Sequence, residues 1–307
     1  MRKNIFLGFL FCFATFLYGQ QSKGYQFRPY EVPVGESAKQ NAVLINNVPT
    51  YLWHRGCGPT ALGMIIGYYD GHGFSDLFSD TVISQTYNIN MEIASDEHYS
   101  DYSEPKDYYP NIIQDNSEIG IPHQHNSIAD FMNTSFSSCG NYWGWSWLSD
   151  IGSAFEDYVY YKNPNYITSF ENNFYSSTSW DEYMLEIDNN NPVILLVDTD
   201  GDNQTDHFVT GIGYNSVTQQ YAVYDTWDND IHWYEWKGMD NSVFFGIFAF
   251  TKFSIINNNP NIVLENPMNK KLIDIINIMG NSTKTINNSL LFYIYNDGSV
   301  EKKIVLE

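Results

Sequence analysis

Residues 53–70 read WHRGCGPTALGMIIGYYD, and the interpretation of the whole chain starts from this stretch. Pro59 suits the first turn of a helix, and the following positions up to Tyr69 are apolar almost all round. A helix without a polar face must be covered on every side. The stretch therefore predicts a buried helix from residue 59 to about residue 70.

Cys57 stands directly before this helix, between Gly56 and Gly58. The glycines allow a tight bend, and the unpaired N–H groups and dipole of a helix N-terminus favour a thiolate. The backbone N–H of Cys57 is also placed to donate to an oxyanion. A small buried structural cysteine is the plain alternative, but the setting favours a nucleophile.

A thiolate hydrolase needs a histidine and a group that orients it. His207 opens a predicted strand over residues 207–214, and a returning strand over 221–225 ends at Asp225. A turn centred near Ser216 would pair 207 with 225, with Cβ atoms about 4.5–5.5 Å apart. We therefore predict His207 as the base and Asp225 as its orienting acid. His98 falls in an acidic stretch that we expect to be a solvated loop.

The remaining pattern places helices before strands. An amphipathic helix is predicted over residues 180–189, a buried strand over 193–197 and another apolar strand over 244–253. This order favours an α+β fold over alternating βαβ units.

Three segments are expected along the chain: a signal peptide over 1–20, a main domain over 21–255, and a linker with a small β tail over 256–307. Arg2 and Lys3 precede an apolar run too short for the roughly 20 residues of a bilayer span. The mature chain is thus expected to have no membrane span and to leave the cytoplasm. The tail carries strand-like runs over 272–278, 290–295 and 300–306.

The formal net charge is −21, which argues against nucleic acid as a partner because phosphate binding needs a basic face. Of the three cysteines, Cys12 lies in the predicted signal peptide. The other two cysteines, Cys57 and Cys139, would form a disulfide in the alternative interpretation. We favour a reactive Cys57 instead.

An acidic loop leads directly into His207. Asp198, Asp200, Asp202 and Asp206 alternate around Gly201, which is not the spacing of an EF-hand. Alternating carboxylates still offer the hard oxygen ligands that calcium prefers. The sequence leaves two interpretations of this segment: a loop that binds a structural calcium ion, or a solvated acidic loop.

The motifs at Cys57-Gly58-Pro59-Thr60, at residues 207–214 and at Asp225-Thr226-Trp227 resemble the papain-like peptidases related to double-glycine (bacteriocin-processing) leader peptidases. The resemblance covers about residues 48–252. It implies a papain-like fold in which a central buried helix bears the cysteine and packs on an antiparallel sheet bearing the histidine and aspartate. It also implies a cysteine peptidase or amidase that needs no cofactor for catalysis.

One position departs from that family. A glutamine that supplies the second oxyanion donor usually stands about six residues before the cysteine, where this chain has Tyr51. The Tyr51 hydroxyl or the Trp53 indole N–H would then replace it. The alternative functions are those of a catalytically weak or inactive surface binding protein or of a transglutaminase-like acyl transferase.

The tail resembles the C-terminal sorting signal of type IX secretion substrates from Bacteroidetes, at residues 275–280 and 291–304. This resemblance implies the type IX secretion machinery as a partner. It also implies release to the cell surface or the medium by way of the periplasm. A β-hairpin belonging to the main domain is the alternative reading.

Overall fold

The computed structural model describes residues 41–101, 124–134, 144, 146–257, 272–277, 280–284, 289–295 and 300–304. They fall into two compact units, one within residues 1–258 and one within 259–307. The predicted signal peptide, Cys139 and most of the predicted linker lie outside the described residues.

The first unit contains the following elements in chain order: β1 (Ala42–Leu44), α1 (Cys57–Gly71), α2 (Tyr87–Ile93), α3 (Asp96–Asp101), α4 (Ile128–Phe131), α5 (Leu148–Lys162), β2 (Tyr166–Phe174), α6 (Ser179–Asp188), β3 (Val193–Asp198), β4 (His207–Asn215), β5 (Gln220–Tyr224), β6 (His232–Glu235) and β7 (Gly246–Asn257).

The strands form one sheet in the order β2-β7-β3-β4-β5-β6, and every neighbouring pair is antiparallel. Strand β1 adds to the end of β4. Every residue of β3 and β4 is buried, because these central strands have neighbours on both sides and the helical layer packs over them. The predicted α+β class with an antiparallel sheet is confirmed.

Helix α1 is the buried helix that the apolar run predicts, and it begins at Cys57 rather than at Pro59. All of its residues from Cys57 to Tyr69 are buried. Two hydrogen bonds tie it to the sheet: the Tyr69 hydroxyl donates to the Phe253 carbonyl at 2.9 Å, and Thr210 Oγ1 donates to the Ala61 carbonyl at 3.2 Å. The helix that begins with Cys57 is therefore fixed against β4, the strand that carries the predicted base.

The turn between β4 and β5 lies later than predicted. Asn215 pairs with Gln220, so the connection consists of residues 216–219. The Asn215 side chain accepts hydrogen bonds from the backbone N–H groups of Val217 and Thr218, at 3.0 and 3.2 Å. An asparagine that closes such a turn sets the register of the hairpin.

A bulge in β4 between Gly211 and Gly213 shifts the register once more, and Thr210 pairs with Tyr224, the last residue of β5. The predicted direct pairing of His207 with Asp225 is therefore wrong, but the two residues are still near neighbours, as expected for a turn one or two residues later. The estimate failed because it assumed a shorter turn and an unbroken ladder.

The second unit is a three-stranded antiparallel sheet in the order β10-β9-β8. Its strands are β8 (Leu272–Asn277), β9 (Leu290–Tyr295) and β10 (Val300–Ile304). They lie where the sequence predicts strands in the tail. Among the helices that the structure describes, none has both the length and the apolar character needed to cross a bilayer.

Candidate active site

Cys57 is the first residue of α1, and its side chain is fully buried. Gly56 enters the helix with a φ of 150°, a conformation that L side chains rarely adopt. The Thr60 hydroxyl accepts from the His54 N–H at 3.0 Å and donates to the Gly56 carbonyl at 2.7 Å. The turn before the helix is thus fixed by its own threonine, and it sets where the sulfur lies.

The sulfur faces β4 immediately beside its first residue. The Phe208 N–H donates to Cys57 Sγ at 3.5 Å. A hydrogen-bond donor aimed at sulfur favours the thiolate over the thiol. This contact places the sulfur one residue along the backbone from His207.

His207 is fully buried at the start of β4, and its Nε2 lies 2.7 Å from the backbone carbonyl oxygen of Asp225. A carbonyl oxygen only accepts, so Nε2 must carry the proton. In the neutral imidazole the lone pair then resides on Nδ1, which is the nitrogen that can act as a base. The Trp227 ring stacks on the imidazole, with centroids 4.2 Å apart and an angle of 18° between planes.

Asp225 directly follows β5 and is fully buried. Its Oδ1 accepts from the Trp227 N–H at 2.9 Å, and its Oδ2 lies 3.7 Å from His232 Nε2. The next residue, Thr226, is fully buried with a φ of 68°, which is costly for a β-branched side chain. The Thr226 carbonyl accepts from the Trp53 N–H at 2.6 Å, which ties this strained turn to the segment before Cys57.

The structure therefore brings Cys57, His207 and Asp225 into one region. The sequence analysis includes Trp227 in a motif but does not predict that it covers the imidazole. It misses His232 and Asp228, whose side chains join at 2.7 Å beside Asp225. The spacing of four residues between Asp228 and His232 was the available signal. Because β6 is not predicted from the sequence, no partner for His232 is expected there.

Tyr51 is not placed as an oxyanion donor, and the expectation for this residue is wrong. Its hydroxyl donates to the Val82 carbonyl at 2.9 Å and lies against Gly67 of α1. Gly67 is ten residues beyond Cys57, about 15 Å along the helix. Trp53 stays a candidate because its backbone bonds to Thr226 beside the proposed triad.

In the acidic loop, Asp198, Asp200 and Asp206 each place a carboxylate oxygen within 4.8 Å of the other two. Burial raises the pKa of Asp206 to about 7, although hydrogen bonds from Thr199 oppose that rise. Asp202 points elsewhere: its carboxylate accepts from the backbone and side-chain nitrogens of Gln204. Three of the four predicted ligands therefore converge.

His98 is not in a solvated loop, contrary to the sequence-based expectation. It lies fully buried on α3, and its Nδ1 is 2.7 Å from Asp130 Oδ1. Asp130 Oδ2 also accepts from the N–H groups of Asn126 and Ser127 and from the Ser127 hydroxyl. This histidine joins α3 to α4.

A cysteine at the start of a central buried helix, with its sulfur against a strand of an antiparallel sheet that begins with a histidine, is the arrangement of a papain-like cysteine hydrolase. Residues 45–245 match the family model described as Peptidase_C39 like family. The match covers more than half of the chain, and the chain belongs to this family. It is therefore a cysteine-type peptidase, which acts on protein or peptide substrates.

Two solved structures are similar to the chain. A putative C39-like peptidase from Bacillus anthracis is 14% identical, with 70% of this chain and 98% of that one covered, at a TM-score of 0.37. Xylellain, a cysteine protease from Xylella fastidiosa, is 11% identical, with 77% and 95% covered, at a TM-score of 0.33. No curated protein matches the chain.

Proposed function

We propose that the protein hydrolyses peptide bonds with Cys57 as nucleophile, His207 as general acid and base, and Asp225 as the group that orients His207. The observation that carries this proposal is the pair of contacts around β4. Phe208 N–H donates to the sulfur, and His207 Nε2 donates to the Asp225 carbonyl. Together they support a nucleophile beside an imidazole whose Nδ1 would serve as the base.

In the first half of the reaction, Nδ1 of His207 takes the thiol proton and the Cys57 sulfur attacks the scissile carbonyl carbon. The tetrahedral oxyanion collapses, the C–N bond breaks, and His207 returns the proton to the leaving amine. In the second half, His207 removes a proton from water as its oxygen attacks the thioester. The S–C bond then breaks, which releases a carboxylic acid and regenerates the thiol.

The oxyanion needs donors at the position where negative charge develops. The N-terminus of α1 supplies the backbone N–H of Cys57 and the positive end of the helix dipole. We assign the second donor to the Trp53 indole N–H, because Tyr51 is committed to Val82 at the far end of α1.

The test is the rate of peptide cleavage by purified protein, followed by mass spectrometry on a peptide library. Cys57→Ala should abolish cleavage while the melting temperature changes little, because the change removes one sulfur atom at a helix start. His207→Ala should do the same. Cleavage at the parental rate by the Cys57→Ala variant would refute the assignment, and correctly folded protein that cleaves nothing would favour a surface binding protein.

We further propose that the chain is secreted, with residues 1–20 removed and the second unit read by the type IX secretion machinery. The Lys- and Arg-bearing apolar start and the tail motifs support this. A chain ending at Asn257 should cleave peptides in vitro, because the proposed catalytic residues all precede it. In the native host it should stay in the periplasm, and normal release into the medium would contradict the proposal.

We also propose that calcium binds the acidic loop through Asp198, Asp200 and Asp206. The support is their mutual spacing and the repulsion that three carboxylates would otherwise exert. Calcium should raise the melting temperature by mass action, and Asp200→Asn should remove that response. Asp202→Asn is the matched control and should keep it. If calorimetry shows no heat of binding at millimolar calcium, the calcium proposal is wrong and the segment is only an acidic loop.

A further inference from the structure

A second cluster of ligand-type side chains lies directly behind the proposed triad, and we call it the His232 cluster: Asp225, Asp228 and His232. One ligand atom of each lies within 4.8 Å of those of the other two. His232 Nε2 is 2.7 Å from Asp228 Oδ1 and 3.7 Å from Asp225 Oδ2. Residues from the end of β5, from the following loop and from β6 thus converge on one point.

The spacing of these atoms suits a metal ion. A tetrahedral ion with ligands about 2.0–2.1 Å away holds its ligand atoms about 3.3 Å apart. The two distances from His232 Nε2 lie on either side of that value and differ from it by less than 1 Å. Small side-chain rotations would therefore admit an ion, and no strand would have to move.

The donor set selects the kind of ion. Calcium and magnesium prefer oxygen ligands alone, whereas an imidazole nitrogen with two carboxylates suits zinc and its neighbours in the first transition row. Three protein ligands also leave one position of a tetrahedral ion to water. This distinguishes the His232 cluster from the acidic loop, whose converging ligands are all carboxylates.

The cluster combines buried ligands with access from solvent. The side chains of Asp225 and His232 are 0% and 4% exposed, while that of Asp228 is 38% exposed. An ion can therefore enter past Asp228 and reach two ligands held in place by packing. The chain's formal charge of −21 also raises the local concentration of cations.

We propose that the His232 cluster binds Zn²⁺ or a similar transition-metal dication, and that the bound ion inhibits the peptidase. Binding would draw the Asp225 carboxylate toward the metal and away from the Trp227 N–H that it now accepts from. A shift of Asp225 would also move the carbonyl that accepts from His207 Nε2, and with it the imidazole. The inhibition rests on the proposed catalytic roles of these residues, whereas the binding itself does not.

The experiment separates the two parts. Zinc is titrated into the full-length Cys57→Ala protein by calorimetry, so that the thiol cannot be a ligand and peptidase activity is not needed. One strong site is expected. His232→Ala in the same background should weaken it by roughly 100-fold or more, since loss of even an outer-shell partner costs about 10–100-fold. Asp230→Asn, an exposed carboxylate in the same loop, is the matched control and should bind zinc unchanged.

Cobalt provides a second readout. Co²⁺ in the wild-type protein should show visible bands of a nitrogen and oxygen site without the near-ultraviolet band of a thiolate ligand. Zinc binding that disappears with Cys57→Ala, or a cobalt–thiolate band, would put the ion on the nucleophile and overturn the proposal. Unchanged zinc affinity in a folded His232→Ala protein would do so as well. Asp228→Asn supplies a milder variant if His232→Ala does not fold.

Peptidase activity is measured after zinc binding at the His232 cluster has been tested. In the presence of zinc, His232→Ala should retain more peptidase activity than the wild type at the same free ion concentration. If the wild type binds zinc at the His232 cluster and its activity does not fall, the inhibitory part is wrong. If zinc-free wild type supplied with calcium cleaves no peptide at all, the proposed function fails while the metal site stands on the calorimetry.

Discussion

The stacking of Trp227 on His207 gives the sharpest test of how the proposed ion pair is maintained. The two rings lie face to face, 4.2 Å apart, and the imidazole is fully buried. When the sulfur is a thiolate, His207 is an imidazolium, and a cation over an indole face is stabilised by about 1–2 kcal/mol where water is excluded. Since about 1.4 kcal/mol corresponds to a factor of ten, the indole accounts for roughly a tenfold increase in thiolate population.

Trp227→Leu keeps an apolar cover over the imidazole but removes the aromatic face. We expect the rate of Cys57 alkylation by iodoacetamide at a fixed, mildly acidic pH to fall about tenfold. Trp227→Phe should lie between the two, because benzene is a weaker partner for a cation than indole. Iodoacetamide is chosen because it is small and uncharged, so access to the buried sulfur and surface charge affect the comparison little.

Trp233→Leu is the matched control, since Trp233 is a partly buried tryptophan of β6 that packs against the core. It should alter stability without changing the alkylation rate of the folded protein. The reasoning is refuted if Trp227→Leu alkylates at the wild-type rate while its melting temperature is unchanged. A rate that falls equally in both variants would show a general effect of losing a tryptophan.

Two further predictions concern stability. Asp130→Asn should cost about 3–5 kcal/mol in urea unfolding at pH 7, because His98 then faces a neutral amide, whereas exposed Asp157→Asn should cost less than about 0.5 kcal/mol. Burial alone would raise the pKa of Asp130, but hydrogen bonding to His98 and its neighbours holds it well below 3.8. The ionised Asp130 carboxylate therefore gives its full stabilisation above pH 3.8, and this stabilisation is lost as the pH falls through the lower pKa of Asp130 in the folded protein. The Asp130→Asn variant should not show this pH-dependent loss. Thr226→Gly should change stability by less than about 1 kcal/mol despite full burial, since relief of the left-handed strain offsets the flexibility of glycine, and a loss above about 3 kcal/mol would contradict this.

Much of the central architecture could be predicted because it is written in continuous apolar runs. The run after Cys57 gave α1, and the run at residues 193–197 gave β3, since only buried elements are apolar on every side. Strand β2 was missed for the opposite reason. It lies at the edge of the sheet and most of its residues are partly or fully exposed, so its apolar and polar residues are mixed without a strict alternation.

The candidate site also contains features that a local pattern predicts and features that it does not. Cys57 and His207 could be identified as candidates because each stands where an element begins, a position that the local sequence marks. The contacts between residues could not be predicted. Trp227 reaches the imidazole only because Thr226 adopts a left-handed conformation, and Tyr51 leaves the site because the chain turns back through Arg55 and Gly56, both at positive φ. Such conformations depend on long-range contacts that a local pattern does not contain.

The strained residue also explains how the pieces of the site stay together. A left-handed threonine costs on the order of 1–3 kcal/mol and persists only where its surroundings hold it. Here the Thr226 carbonyl accepts from the Trp53 N–H. On the other side of Thr226, the Asp225 carbonyl accepts from His207 Nε2 and the Asp225 carboxylate accepts from the Trp227 N–H. One turn thus connects the segment before the nucleophile, the imidazole and its aromatic cover. The Asp225 carboxylate also lies 3.7 Å from His232 Nε2, so β6 meets this turn at the same residue whose backbone carbonyl holds His207.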